Sequence, residues 1–370
     1  MEVVFSQNGT YLFYFVVYIF SIFLLGLSEN VKNKKGIYSL FFMVSFLLYI
    51  VVAYRTVGVD RETYVEMFSY TEFYMHNYNF MVMEPLYFLL NIFVYYVFGD
   101  ILFIQVFQGI IYAVSVFKLL LFCRSKNCNT IIVYSFSIST IFFYMMGLNR
   151  MCIAVGIFTI AFINYLTKHN NIRFIMSLIL CSLFHYSAIL MLFLFIFLFI
   201  IKNNKRIKNL VLYMGYLVPI VLYAFLKIFQ DVLVNRLLST KYSGYVEVGF
   251  SISNIISVIY VLPIIIVYFL IGFKSENEQE EIFLQKQMAI SILTFHLSCF
   301  FVGAFRFNFY MNGWVAYMYA MLFKRFKFKP KAGKLLFEGL FVILITVYSI
   351  VVFFDSPFIT EKIVPLMLEF

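Results

Sequence analysis

Residues Val51 to Phe68, VVAYRTVGVDRETYVEMF, break an apolar chain with Arg55, Asp60, Arg61, Glu62 and Glu66. Two more arginines stand alone at breaks between apolar runs, Arg150 in GLNRMCIAVGIF and Arg306 in FVGAFRFNFY. Ionisable side chains at membrane depth are rare and mark functional sites by default. Arg150 opens a helix, where the positive end of the macrodipole disfavours a cation. A bound anion reverses that penalty, because free backbone N–H groups and a guanidinium together make a phosphate site. The competing reading is an arginine snorkelling to lipid headgroups, and Arg306 has the same two readings.

Proton-handling groups accompany these cations. Asp60 follows Arg55 by five residues, and Glu84 opens a helix in MEPLYFLL, with Pro85 at the favoured first helical position. Either carboxylate can hold an arginine or act as a base; Glu62, Glu66 and Glu72 read as solvated loop surface. His185, in LFHYSAIL, lies inside an apolar run, where it serves either as a hydrogen-bonded structural group or as a base. Tyr64 and Tyr242, in two polar loops, are candidate sugar contacts, against a background of 22% aromatic residues that mostly face lipid.

The elements that must position these residues are membrane helices. Of 370 residues, 64% are hydrophobic and 12% charged, whereas soluble domains carry about 45–50% apolar and about 25% charged residues. The apolar residues form runs long enough to cross a bilayer, with none of the short alternating segments of a membrane β-barrel. Candidate spans are 11–28, 37–54, 84–98, 101–122, 131–147, 150–166, 173–201, 210–229, 254–272, 288–305, 308–323 and 335–353. The expectation is an all-α polytopic integral membrane protein with about ten to twelve transmembrane helices. It forms one membrane domain, 1–370, with larger loops near 55–84 and 230–253. The first run is read as a retained helix, since no basic stretch precedes it and no cleavage site follows.

The segments 29–36, 123–130, 168–173, 202–208, 273–286 and 324–334 hold 19 of the 28 Lys and Arg. These are expected inside, by the bias of positive residues toward the cytoplasm. Both termini, Arg55, Asp60, Arg61, Arg150, His185 and Arg306 then fall toward the opposite side. Run 84–98 is short for a crossing. The stretch 173–201 has basic residues at both ends and is too short for two full crossings, which predicts a broken, re-entrant helix pair bending near His185; the competing reading is a single long tilted helix, at the cost of one violation of the charge bias. The net charge of +10 sits in short loop clusters, which argues against nucleic acid. The five scattered cysteines have no zinc spacing, and no carboxylate set is arranged for a metal, Asp60 and Glu62 being the nearest approach.

YRTVGVDRETY, EPLYFLL, GLNRMCIAVGIFTIAF and LFHYSAIL, in that order, resemble the EpsG-like family of bacterial polysaccharide-repeat polymerases of the Wzy type. The resemblance is clearest over residues 50–200. Met151 stands where many members carry glutamine. The resemblance implies an enzyme at the outer face of the bacterial inner membrane. It would move glycan from undecaprenyl pyrophosphate to a sugar hydroxyl of the next lipid-linked repeat unit, for O-antigen, capsule or exopolysaccharide. On that reading Arg150, Arg306 and Arg55 hold pyrophosphate, with Arg55 alternatively positioning Asp60. Arg61 is a weaker substrate contact, and His185, Asp60 or Glu84 is the general base. No cofactor is needed, and a flippase and a chain-length regulator are the expected protein partners. A ligase acting on the same lipid, a flippase and a membrane acyltransferase are the alternatives; the halves show no internal repeat of the kind many transporters carry.

Overall fold

The computed structural model describes residues 2–4, 6–58, 60–77, 83–200, 221, 224, 305–325, 331–355 and 367–369. Spans 254–272 and 288–304, nearly all of 210–229, the loop 230–253 and Tyr242 lie outside the described residues.

The described chain is helical: α1 (Gln7–Asn30), α2 (Lys34–Ala53), α3 (Arg61–Ser69), α4 (Thr71–His76), α5 (Pro85–Val97) and α6 (Leu102–Ser125). They are followed by α7 (Thr130–Gly147), α8 (Asn149–Lys168), α9 (Asn171–Phe184), α10 (Ala188–Ile200), α11 (Phe305–Arg325) and α12 (Lys331–Asp355). Among the described residues, four helices (α1, α2, α6 and α8) are long and apolar enough to cross a membrane. The protein is a polytopic all-helical membrane protein. A short antiparallel ribbon pairs Glu2–Val4 with Met367–Glu369.

Asparagine starts three of the helices that follow basic turns. Asn33, Asn129 and Asn170 cap α2, α7 and α9 through their side-chain oxygens, a contribution of about 1 kcal/mol each. The turns themselves reach the left-handed region at Asn127 (φ 52°) and His169 (φ 49°).

By its contacts the chain divides into two compact units, Met1–Tyr186 with Tyr319–Phe370, and Ser187–Met318. In the first, α6 packs on α2 and α8, and α8 packs on α9. Glycines permit these close approaches, as small residues do where membrane helices meet. A Cβ on Gly109 would stand 3.1 Å from the Ala53 Cβ, and one on Gly156 would stand 2.7 Å from Ile111 Cγ2. Gly156→Leu is therefore expected to force α6 and α8 apart at a cost of about 1–3 kcal/mol, read as a lower thermal midpoint of the purified chain in detergent. In the second unit the Ser187 and Tyr310 hydroxyls share a hydrogen bond of 2.9 Å.

At one end of the first unit, Arg124 pairs with Glu29, Thr130 donates to Glu29 (3.0 Å), Asn129 to Glu338 (3.0 Å), and Lys324 to the Lys126 carbonyl (2.9 Å). Three of the lysine-rich turns thus gather together. α5, at 13 residues, rises about 20 Å, short of the roughly 30 Å hydrocarbon core. The run 173–201 does break: His185 ends α9 in an extended conformation (φ −156°, ψ 119°), and α10 starts at Ala188.

Candidate functional site

At the end of the first unit away from the lysine-rich turns, the loop after α2 folds onto the α7–α8 corner. Gly58 makes this possible, since a Cβ there would stand 3.3 Å from the Met146 carbonyl oxygen and 3.4 Å from the Gly147 Cα. The Asp60 amide donates to the Gly147 carbonyl at 3.4 Å and the Arg61 amide to the Gly58 carbonyl at 3.2 Å.

Arg55 is buried, with 1% of its surface exposed. One terminal nitrogen donates to the Val52 carbonyl, and the other donates to Gln108 Oε1 (3.0 Å) and Asn149 Oδ1 (2.9 Å). Gln108 in turn donates to the Met145 carbonyl at 2.8 Å. The Gln105 amide, oriented by its neighbours, donates to the Arg55 and Ala53 carbonyls at 2.8 and 3.2 Å. Burial lowers the Arg55 pKa to about 10, with neighbouring Arg61 adding to the shift, so it stays charged at neutral pH. The network fastens the end of α2 to α6 and to the first residue of α8.

Arg150, the second residue of α8, donates to Glu84 Oε2 at 2.6 Å. The other carboxylate oxygen, Oε1, is 2.9 Å from His185 Nδ1 and accepts from the Tyr186 amide at 3.4 Å. Glu84 is the N-cap of α5, yet its side chain does not cap that helix; it is committed to α8 and to the α9–α10 break instead. The Arg150 guanidinium also lies over two rings, 5.6 Å from the centroid of Tyr64 and 5.8 Å from that of Tyr87, a cation–π arrangement. One carboxylate, 3% exposed, thus joins a cation and an imidazole contributed by three separate helix ends.

Burial pushes the Glu84 carboxyl up, but the hydrogen bond from His185 and the charge of Arg150 outweigh it and bring it down to about 2. A depressed carboxyl stabilises the fold above its unfolded value and loses that contribution as pH falls through its folded value. The Glu84 contribution is therefore complete above about pH 4.5 and lost between there and about pH 2. Glu84→Gln is expected to flatten the part of the acid-side fall in thermal midpoint that lies in this window; an unchanged curve would count against the pairing.

A model of the EpsG family matches residues 37–367. The chain belongs to the EpsG family. No curated protein matches it, and no solved structure does. EpsG membership brings a polysaccharide-polymerase role in general terms and agrees with the apolar helices in making this a membrane protein.

On this EpsG chain, Glu84, Arg150, His185 and Tyr64 are brought together directly. Tyr64, read from its loop as a sugar contact, is 3% exposed and has its ring against Arg150 and Tyr87. Arg55 forms the adjoining buried layer, and Asp60 and Arg61 lie at the start of α3, on the loop that covers the α7–α8 corner. Arg306 belongs to the second unit, near the amino end of α11, and is half-buried. Sequence reasoning passed over Gln105, Gln108, Asn149 and Tyr87. The signal for the glutamines was present as two amides in the apolar run FIQVFQGII, because polar groups within spans find partners there.

Proposed function

We propose that this protein is a repeat-unit polymerase that transfers glycan from a polyprenyl pyrophosphate to a hydroxyl of the next lipid-linked unit. Its site would face the periplasm or cell exterior, across the bacterial inner membrane from the lysine-rich turns. The observation that carries this reading is Glu84 held between Arg150 and His185.

An imidazole whose Nδ1–H donates to a carboxylate presents its lone pair at Nε2. In the proposed reaction His185 Nε2 takes the proton of the acceptor hydroxyl as its oxygen bonds to the anomeric carbon. The bond from that carbon to the pyrophosphate oxygen breaks, and its electron pair leaves with the pyrophosphate. Arg150 meets the developing negative charge, and Glu84 steadies the imidazolium. A guanidinium already positioned in a partly desolvated site needs little reorganisation to do this. Arg55 is assigned to positioning: through Asn149 it sets the start of α8, and with it Arg150. Asp60 is the alternative base. Arg306 is proposed as a phosphate ligand on the helix-end argument and stands on its own substitution, Arg306→Ala. Arg61 and Tyr242 remain proposed substrate contacts, and a flippase and a chain-length regulator remain proposed partners.

Deletion of the gene in its host, with gel and mass analysis of surface glycan and lipid-linked intermediates, tests the reading. Single repeat units on lipid support the polymerase. Full-length polymer left on its lipid identifies a ligase, and single units trapped on the cytoplasmic side identify a flippase.

A further inference from the structure

Within the first unit, α1 and α12 both pack on α7, and a cavity of about 430 Å³ lies between them, with Leu48 of α2 in its wall. Tyr18 lines its wall, with its hydroxyl 2.8 Å from that of Thr346 and its ring stacked on Tyr134 at 6.1 Å. Tyr14 also lines the wall; its hydroxyl contacts Met146 Sδ at 3.9 Å and lies within electrostatic range of Arg55. Three of the lining residues, Leu12, Phe15 and Ile350, are apolar and exposed, by 63, 52 and 41%.

Interiors pack closely, and apolar walls facing a void lose their dispersion contacts. A gap of this size, edged by exposed apolar side chains of α1 and α12, is therefore suited to a chain drawn from the bilayer. Its position selects which chain. Met146, which Tyr14 touches, precedes Arg150 by four residues, so the two Cα atoms are at most about 15 Å apart. From Tyr11 to Tyr18 the lined stretch of α1 descends about 10 Å, enough for the head-proximal units of a long chain and not for its whole length.

We propose that this cavity seats the isoprene units next to the pyrophosphate of the lipid-linked donor. The inference rests on the reading of Arg150 as a pyrophosphate ligand, and the two are separable. A chain lying with its head toward the α7–α8 corner brings its phosphates to the Arg150 side while its far end returns to the bilayer.

The test uses the purified full chain in nanodiscs, with undecaprenyl pyrophosphate and inorganic pyrophosphate as probes. Ser139 lines the cavity on α7. Ser139→Phe is expected to weaken undecaprenyl pyrophosphate at least about tenfold, by displacing the chain from an apolar site, and to leave inorganic pyrophosphate unchanged. Ile350→Trp, at an exposed lining residue, makes the same test where Ser139→Phe lowers the yield of folded protein. Unchanged affinity for the long-chain probe in a folded variant overturns the proposal. So does competition by phosphatidylglycerol at equal strength, which would make the cavity a site for ordinary acyl chains. If Arg150→Ala weakens neither probe while Ser139→Phe still weakens the long one, the cavity stands and the phosphate assignment falls.

Discussion

Arg150→Ala is expected to lower polymer yield at least about a hundredfold per molecule of protein, in line with the loss of a positioned charge-stabilising donor. The substitution also removes the cation from Glu84, and breaking a buried pair by removing one partner costs about 3–5 kcal/mol. Because the Arg150 side chain keeps 20% of its surface exposed, the cost to the fold should fall below that range. Protein level therefore has to be measured beside polymer. Two further variants separate folding from chemistry. Arg150→Lys keeps a charge near Glu84 but loses the planar fork and much of the stacking on Tyr64 and Tyr87, so the protein should accumulate while chain extension stays impaired. Glu84→Gln combined with Arg150→Ala removes both charges, restoring protein level without restoring polymer. A normal glycan ladder from Arg150→Ala at normal protein level would remove the pyrophosphate assignment.

The break at His185 was legible because two constraints met on one stretch. Arg173 and Lys202 required both ends on the same side, and the run between them was too short for two crossings. The extended backbone at His185 supplies the break. Glu84 was legible from its place before Pro85, and Arg150 from the mismatch between a cation and a helix amino end. What could not be read was that these residues answer one another. Glu84 lies 66 residues from Arg150 and 101 from His185, and only the packing of α5, α8 and α9 closes those separations. The anion expected at Arg150 is thus supplied first by the protein itself, and substrate phosphate would have to share or displace it. Tyr64 shows the same limit from the other side: a loop tyrosine looks available to sugar until the fold turns its ring onto Arg150. Arg55 was read as a pyrophosphate ligand or a positioner of Asp60; what the sequence did not show is its burial against Gln108 and Asn149, which ties helix ends together.

His185→Gln should lower chain extension by about 10²–10⁴-fold, the usual contribution of a positioned acid or base. Glutamine can keep a hydrogen bond to Glu84 Oε1 but takes no proton at neutral pH, so a structural role for His185 would survive the change and a base would not. Glu84→Gln is the complementary variant. It leaves the imidazole in place but removes the charge that steadies its protonated form, so some activity should remain, with the acid limb of the pH–rate profile displaced to lower pH. In the unaltered enzyme the rate should fall on the acid side as His185 takes up its proton, while Glu84, held at about 2, stays ionised throughout that range. The acid limb then reports the imidazole and not the carboxylate. If His185→Gln kept both the rate and that limb, the base would have to be sought at Asp60, and Asp60→Asn would then carry the loss expected here of His185.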